Sequence, residues 1–232
     1  MTTISANLQA VNARIWAACA AAGRDVASIR LLAVSKTWPA QAVAEAALAG
    51  QAAFGESYVQ EALTKIDALA GRGLEWHFVG PIQSNKTRSI AEHFAWVHGV
   101  DRLKIAERLS AQRPPSMVPL QVCVEVNVSG EDSKSGVAPA QAEELCRTLA
   151  ALPRLRLRGL MAIPEPTADS ALSRARFAEL RQLRDRLALG GLDLDTLSMG
   201  MSDDLEAAIM EGATIVRVGT AIFGGRSYKD KR

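Results

Sequence analysis

A single lysine ends an otherwise apolar segment near the N-terminus, in the stretch LLAVSKTWP at positions 31–39. Lysine is rarely buried, because removing its charge from water is costly unless the ammonium is paired or neutralised. At the end of a buried strand, the amine of Lys36 is typical of a nucleophile that attacks an aldehyde and forms an imine. A long side chain that simply reaches water is the alternative. This segment alone leaves both interpretations open.

An anion-binding turn is indicated near the C-terminus, in the stretch TIVRVGTAIFG at positions 214–224. The backbone N–H groups of Gly219 and Thr220 and the threonine hydroxyl follow a strand, an arrangement that suits phosphate. Arg217 alternates with two valines in that strand, so its side chain is expected to point to the interior and to need a partner there. The partner is either an acid within the fold or the ring nitrogen of a bound planar cofactor.

The preceding strand contributes further polar groups, in the stretch LSMGMSDDLEAA at positions 197–208. Ser198 can donate a hydrogen bond to the same phosphate from the strand end. Gly200 and Ser202 are predicted to open a helix with Asp203 and Asp204 in its first turn, where acidic side chains interact favourably with the helix dipole. An ordinary strand-to-helix turn is the alternative, but two such turns on successive strands favour a phosphate site.

Other polar positions allow two interpretations each. His77, in WHFVG at positions 76–80, can contact a planar ligand, but a lone histidine in a strand is more often a core residue. The loop lysines Lys86 and Lys134 are expected to be solvated, with a ligand contact as the alternative. The three histidines lack metal-ligand spacing, and no metalloprotease or P-loop motif is present. We therefore expect no catalytic metal.

The composition argues against several classes of function. The chain has 232 residues, is 48% hydrophobic and 22% charged, and carries a formal net charge of +2, as is typical of a soluble globular protein. Aromatic residues are scarce near the basic stretches, so no nucleic-acid partner is expected. No apolar run is long enough to span a bilayer, so no membrane partner is expected. Three cysteines without C-x-x-C spacing indicate a reducing, cytoplasmic location.

Eight short apolar runs alternate with segments of helical periodicity, which requires parallel strands joined by crossover helices. At this chain length, eight strands favour a closed (β/α)₈ TIM barrel, whose chemistry lies at the carboxyl ends of its strands. The absence of a flexible linker predicts one domain over residues 1–232, and an amphipathic pattern predicts an extra helix over residues 1–24, packed on the barrel. The runs are 31–35, 52–55, 76–80, 96–100, 120–128, 157–163, 195–200 and 214–219.

Six sequence blocks follow one another over almost the whole chain: LLAVSKTWP, FGESYVQEAL, WHFVGPIQSNKTR, VNVSGEDSKSGV, LRGLMAIP and LSMGMSDDLEAAIMEGATIVRVGTAIFGGRSY. In this order they resemble the blocks of the pyridoxal-phosphate homeostasis protein family. The resemblance implies a barrel of fold-type III, similar to the N-terminal domain of alanine racemase. It also implies that pyridoxal 5′-phosphate (PLP) is held as a covalent imine on the lysine of the V-S-K block, here Lys36.

The same resemblance assigns roles to further positions, all counted here as cofactor-binding. It implies phosphate contacts from the L-S-M-G and R-V-G-T blocks, a contact between Arg217 and the pyridine nitrogen, and a place beside the ring for His77. The family usually has asparagine where this chain has Ser57, so Ser57 reaches the cofactor either directly or through a water. The phosphate contacts fall on Ser198, Gly219 and Thr220, and Gly200 of the L-S-M-G block is counted as cofactor-binding with them.

Two functions follow from the resemblance and the residues. The first is a monomeric protein that holds PLP reversibly and takes part in intracellular vitamin B6 homeostasis without catalytic turnover, with apo-enzymes as recipients. The second is a PLP-dependent amino-acid racemase, which needs a second base such as a tyrosine across the ring from the lysine. The two tyrosines, Tyr58 and Tyr228, are not obviously opposite Lys36, and the strand candidates leave no room for a separate β domain. We therefore favour the first function.

Overall fold

Eight parallel strands form a closed barrel in the computed structural model, which describes residues 3–130 and 135–225. Each strand pairs with the next one along the chain, and the last strand closes the barrel by pairing with the first. The predicted (β/α)₈ barrel is confirmed. The strands are β1 (Arg30–Val34), β2 (Ala53–Glu56), β3 (Glu75–Phe78), β4 (Trp96–Val100), β5 (Leu120–Glu125), β6 (Leu155–Met161), β7 (Thr196–Ser198) and β8 (Ile215–Val218).

Helices connect the strands and cover the outside of the barrel. Parallel neighbours need crossover connections, and helices with one apolar face supply them while covering the sheet. In the long helix before β7, for example, Phe177, Leu180, Leu183 and Leu187 recur at three- and four-residue spacing and are buried. The helices are α1 (Ile4–Ala22), α2 (Ala40–Leu48), α3 (Val59–Ala68), α4 (Thr87–His93), α5 (Leu103–Gln112), α6 (Pro139–Ala150), α7 (Ser170–Leu189), α8 (Leu205–Met210) and α9 (Thr220–Phe223).

The N-terminal helix α1 packs against α8 and α9, the short helices that follow the last two strands. It begins after Thr3, whose hydroxyl accepts the N–H of Ala6, and it ends at Gly23 in the left-handed conformation, two common helix caps. Arg14 forms a two-pronged ion pair with Glu206 of α8. Helix α1 therefore supports the part of the barrel in which the phosphate contacts are predicted.

Strand residues alternate between the barrel interior and the side that faces the helices. Leu32 and Ile215 fill the interior, whereas Val216 packs with the helical layer. Several interior positions hold buried polar side chains instead of apolar ones. These polar side chains form part of the candidate site.

The turn after β7 differs from the sequence prediction in where its helix begins. Asp203 and Asp204 precede α8 instead of forming its first turn, and Asp204 occupies the N-cap position. Its carboxylate accepts the N–H of Met201 at 2.5 Å, and Gly200 has a positive φ of 91°. These two features hold the segment as a turn, so that α8 starts only at Leu205.

Two positions discussed above, Lys134 and Tyr228, lie outside the described residues. Within residues 3–130 and 135–225, no helix combines the length and apolar character needed to cross a membrane. The same ranges contain no grouping of three or more histidine, cysteine, aspartate or glutamate side chains that is suited to a metal ion.

Candidate functional site at the barrel mouth

A cavity of about 220 Å³ opens at the carboxyl ends of the strands. Lys36, which follows β1, lines it and is half-buried. Arg217 of β8 and the Gly219–Thr220 turn line it as well, so the structure brings together the amine, the guanidinium and the predicted anion-binding turn. The turn after β7 contributes Met201, Ser202 and Asp203 to the wall.

A second cavity, of about 470 Å³, shares Lys36 and two apolar residues, Val79 and Ile163, with the first. Ser57, Tyr58 and Lys86 lie along its wall. Tyr58 is 53% exposed, so this cavity is open to water on that side. Lys36 therefore lies between two spaces in which a ligand can approach its amine.

Arg217 is 4% exposed and its guanidinium has fixed partners inside the barrel. It donates to the Oγ of Ser198 at 2.8 Å and to the carbonyl oxygen of Ala162 at 2.9 Å. Burial lowers the pKa of Arg217 to about 10, against the opposing attraction of Glu125, so the side chain remains a cation at neutral pH. Its direct hydrogen-bond partners in the described part of the chain are neutral oxygens, which leaves its charge available to a ligand in the cavity.

A chain of hydrogen-bonded side chains runs from Arg217 through the barrel interior. The Oγ of Ser198 lies 2.7 Å from Nδ1 of His98, and Nε2 of His98 lies 2.9 Å from Nδ1 of His77. Nε2 of His77 lies 2.6 Å from Oε1 of Glu75, the first residue of β3. This interior polar chain (Arg217, Ser198, His98, His77 and Glu75) joins a cation at the mouth to a carboxylate at the opposite end of the barrel.

The hydrogen bonds of the interior polar chain run in one direction. Because Ser198 accepts from Arg217, its own proton goes to Nδ1 of His98, and that imidazole carries its proton on Nε2. His98 then donates to His77, which donates to Glu75. Burial lowers the pKa of His77 and lowers that of His98 well below its usual value. Both rings are therefore neutral, and each carries one N–H proton, on Nε2, as the order of donors from Arg217 to Glu75 requires.

Two of the predicted ligand contacts do not fit this arrangement. Ser198 is fully buried and its hydroxyl is bonded to Arg217 and His98, so it acts on the cavity only through the arginine. His77 is also fully buried, stacks on Trp96 with 5.4 Å between ring centroids, and uses both ring nitrogens inside the barrel. Neither residue lines the two cavities described above.

Ser202 occupies the place in the cavity that the sequence suggested for Ser198. Its Oγ accepts the N–H of Ala221 in α9 at 3.3 Å, which links the turn after β7 to the turn after β8. Ser198 is still part of β7 and points to the interior, whereas Ser202 lies in the turn after β7 and reaches the cavity wall. The sequence indicated Ser202 only as part of a helix start.

Two glycines let the backbone around the first cavity pack closely. A Cβ at Gly200 would lie 2.5 Å from the Cβ of Ala208, and a Cβ at Gly219 would lie 3.1 Å from the carbonyl oxygen of Val34. Gly219 therefore allows the start of α9 to approach the end of β1, beside Lys36. Gly200 is buried under α8 and supports the turn after β7 without lining the cavity.

Two buried polar residues, His98 of the interior polar chain and Lys65 of α3, were not predicted from the sequence to support the site. His98 is two positions from Trp96 in β4 and shares its interior side, a spacing that marks it as a buried histidine. Lys65 is buried on α3 at the spacing of the apolar residues Val59 and Ala62. A lysine on the apolar face of a helix is the signal that identifies it.

These features define a class of protein: a closed (β/α)₈ barrel with a lysine after its first strand and a glycine-threonine turn after its last strand. A family model described as "Alanine racemase, N-terminal domain" matches residues 6–227. The chain belongs to that family.

Three known proteins show how close this relationship is. The chain is 64% identical over 228 residues to the "Pyridoxal phosphate homeostasis protein" of Pseudomonas aeruginosa, covering 98% of both chains. The structure of PipY from Synechococcus elongatus with PLP bound has a TM-score of 0.84 and 36% identity, with coverage of 96% of this chain and 100% of that chain. Alanine racemase from Corynebacterium glutamicum shares the fold, with a TM-score of 0.67 at 17% identity. The match covers 97% of this chain and 63% of the racemase chain. The resemblance inferred from the sequence blocks is confirmed.

Proposed function

We propose that this protein binds PLP reversibly at the barrel mouth, holds it as an imine on Lys36, and takes part in intracellular PLP homeostasis without turning over a substrate. The observation that carries the proposal is the placement of Lys36, Arg217 and the Gly219–Thr220 turn around one cavity. The name of the relative from Pseudomonas aeruginosa and the PLP-bound structure of PipY support it.

The residues around the cavity fit the groups of this cofactor. When bound, PLP supplies an aldehyde that an amine such as that of Lys36 can hold covalently. Gly219 and Thr220 offer a phosphate an amide-lined turn in which a Cβ would crowd β1, and Ser202 adds a hydroxyl on the same wall. Arg217 offers a guanidinium donor for a ring nitrogen.

The interior polar chain determines what Arg217 offers to a ring nitrogen, a partner that racemases also tolerate, so by itself it does not separate holding from catalysis. It keeps Arg217 as an oriented cation, whose N–H groups can only donate. A donor of this kind at the pyridine nitrogen disfavours protonation of that nitrogen, which weakens the ring as an electron sink. Lys36 then serves as an attachment point for the cofactor.

The covalent attachment is tested by reducing the loaded protein with borohydride and mapping the added mass by peptide mass spectrometry. We expect the label on the peptide that contains Lys36 and none in a Lys36→Ala variant. Label found mainly on Lys86 or Lys134 would overturn the assignment.

One observation keeps an amino-acid racemase as the second candidate: Tyr58 lines the second cavity together with Lys36, and a racemase requires a second base. The loaded protein is incubated with a panel of L-amino acids in heavy water, and the α-proton is followed by NMR. We expect no exchange. Exchange at enzyme-like rates that is lost in both Lys36→Ala and Tyr58→Phe would establish a catalyst with Tyr58 as its second base instead.

We further propose that the protein acts in the cytoplasm as a monomer and supplies PLP to apo-enzymes. Size-exclusion chromatography with light scattering checks the monomer. Delivery is checked by mixing the loaded protein with an apo-enzyme and comparing the recovery of activity with that produced by free PLP at the equilibrium free concentration. Recovery no faster than with free PLP would contradict direct delivery.

A further inference from the structure

A buried cluster of charged side chains lies behind Lys36, where β1 and β2 face α3. Lys65 of α3 is 3% exposed. Its ammonium donates to the carbonyl oxygen of Ser35 at 2.7 Å, to Oε1 of Glu56 at 2.7 Å and to Oε1 of Glu61 at 2.6 Å. These three bonds use every N–H of an ammonium, and a neutral amine does not have enough protons to make them. We refer to these four residues as the Lys65 cluster.

The Lys65 cluster fixes the backbone on both sides of Lys36. On one side, the carbonyl of Ser35 accepts from Lys65, and the Ser35 hydroxyl donates to a glutamate of the cluster at 2.6 Å. On the other side, the N–H of Thr37 donates to Oε1 of Glu61 at 2.6 Å. Because Lys65 also bonds to Glu61, one ammonium links the two chain neighbours of Lys36.

The backbone next to Lys36 needs this support. Thr37 has a φ of 70°, and a β-branched residue in the left-handed region is an outlier that strains the chain. Strained backbone persists where the surrounding structure over-determines it, and it concentrates at functional sites. The bond from Thr37 to Glu61 holds the turn that presents Lys36 to both cavities.

The effect of the Lys65 cluster on Lys36 is geometric. Its three charged side chains do not line either of the two cavities, so they do not contact a ligand there. Burial raises the pKa of Glu56 in spite of the nearby Lys65, and its Oε2 has no hydrogen-bond partner in the described part of the chain. The cluster therefore acts on Lys36 through the backbone of its two chain neighbours, Ser35 and Thr37.

We propose that Lys65 and Glu61 are positioning residues for Lys36, which hold the backbone at residues 35 and 37 so that the amine meets the aldehyde of its ligand. The inference rests on the proposed function. Loss of the Lys65 cluster should weaken the covalent capture of an aldehyde but not the contacts of phosphate and ring, which come from β8 and from the turns after β7 and β8.

The test compares two ligands that differ at one group. PLP has the aldehyde, whereas pyridoxine 5′-phosphate has an alcohol at that carbon and keeps the ring and phosphate. Dissociation constants for both are measured by titration calorimetry on the full chain. Glu61→Ala removes the acceptor of the Thr37 N–H, and Glu61→Gln keeps an acceptor oxygen there. Glu92→Ala is the matched control, because Glu92 is 35% exposed against 32% for Glu61 and is also part of an i,i+4 ion pair.

We expect Glu61→Ala to bind PLP about tenfold more weakly, the change that follows from losing one hydrogen bond to a charged group. Binding of pyridoxine 5′-phosphate should change by less than about twofold, and Glu61→Gln should restore most of the PLP affinity. Glu92→Ala should alter neither constant. Lys65→Met, with folding verified by its thermal transition, should show the same selective loss.

The outcomes separate the inference from the function on which it rests. Equal weakening of both ligands in Glu61→Ala and Lys65→Met would show that the cluster supports only the fold. Unchanged PLP affinity in both variants would also overturn the positioning role. A wild-type protein that does not prefer PLP to pyridoxine 5′-phosphate would refute the imine itself, and the inference with it.

Discussion

Replacing Glu125 with glutamine is expected to stabilise the protein above neutral pH and to change its stability little in mild acid. Glu125 ends β5 and is 7% exposed. Its Oε2 is only 3.2 Å from the position of a Cβ at Gly99, so the glycine makes room for the carboxyl. Burial raises the pKa of Glu125 to about 7, Asp101 acts in the same direction, and Arg217 opposes both.

The magnitude follows from the difference between the pKa values of the folded and unfolded states. In the unfolded chain the carboxyl titrates near its ordinary value of 4.5, and in the folded protein it titrates at about 7. Between these values the folded state binds a proton that the unfolded state has released, so the free energy of unfolding falls as the pH rises. The difference of about 2.5 pKa units corresponds to about 3 kcal/mol. This contribution is fully present below about pH 4.5 and is lost as the pH rises through about 7.

The assay is urea unfolding of the cofactor-free protein at a series of pH values from about 4.5 to about 8. Subtracting the wild-type curve from that of Glu125→Gln cancels the other titrating groups, and the variant should gain about 3 kcal/mol over this range. Glu107→Gln, at an exposed position of α5, is the control, and it should not reproduce this gain.

A pH-independent difference for Glu125→Gln would refute the argument that burial keeps this carboxyl neutral. A variant that becomes less stable than the wild type at high pH would show that attraction to Arg217 outweighs burial.

Two further predictions concern the interior polar chain and the second cavity. His98→Leu should lower the free energy of unfolding by about 3 kcal/mol, because Ser198 and His77 both lose a buried partner. Urea unfolding measures this free energy. The control is His93→Leu at an exposed position, which should change the free energy of unfolding by less than about 0.5 kcal/mol. Equal losses in the two variants would contradict a stabilising role of the interior polar chain. Ser57→Asn should bind PLP about threefold more tightly, since a longer amide on the cavity wall reaches a ligand directly. Titration calorimetry checks this, and unchanged or weaker binding argues against a direct contact at position 57.

Local sequence patterns were enough to locate the strands and to place Lys36 just after β1. The run at positions 96–100 coincides with β4, and the other seven predicted runs each contain or overlap one strand, because short apolar runs between helical segments are characteristic of strands buried on both faces. The same patterns placed Lys36 and the Gly219–Thr220 turn at strand ends. In a parallel barrel all such ends share one rim, so their proximity follows once the fold class is known.

Side-chain direction was less accessible to sequence reasoning. Ser198 and Ser202 carry the same side chain and lie four positions apart. Ser198 ends β7, and Ser202 lies in the turn that follows. Only the length of β7 and the positive φ of Gly200 decide that the first points to the interior and the second lines the cavity. His77 likewise lies beside the predicted site in sequence, but its two nitrogens are bonded within the barrel.

The sequence by itself determined the order of strands and helices, the place of Lys36 after β1 and the glycine-threonine turn after β8, because each depends on residues a few positions apart. The tertiary structure alone decided which side chains support them. Lys65 bonds to Ser35 across 30 positions, and His98 bonds to His77 across 21 and to Ser198 across 100. Such pairs become neighbours only when the strands close into a barrel, and their hydrogen bonds form only because the closed barrel excludes water that would otherwise satisfy them.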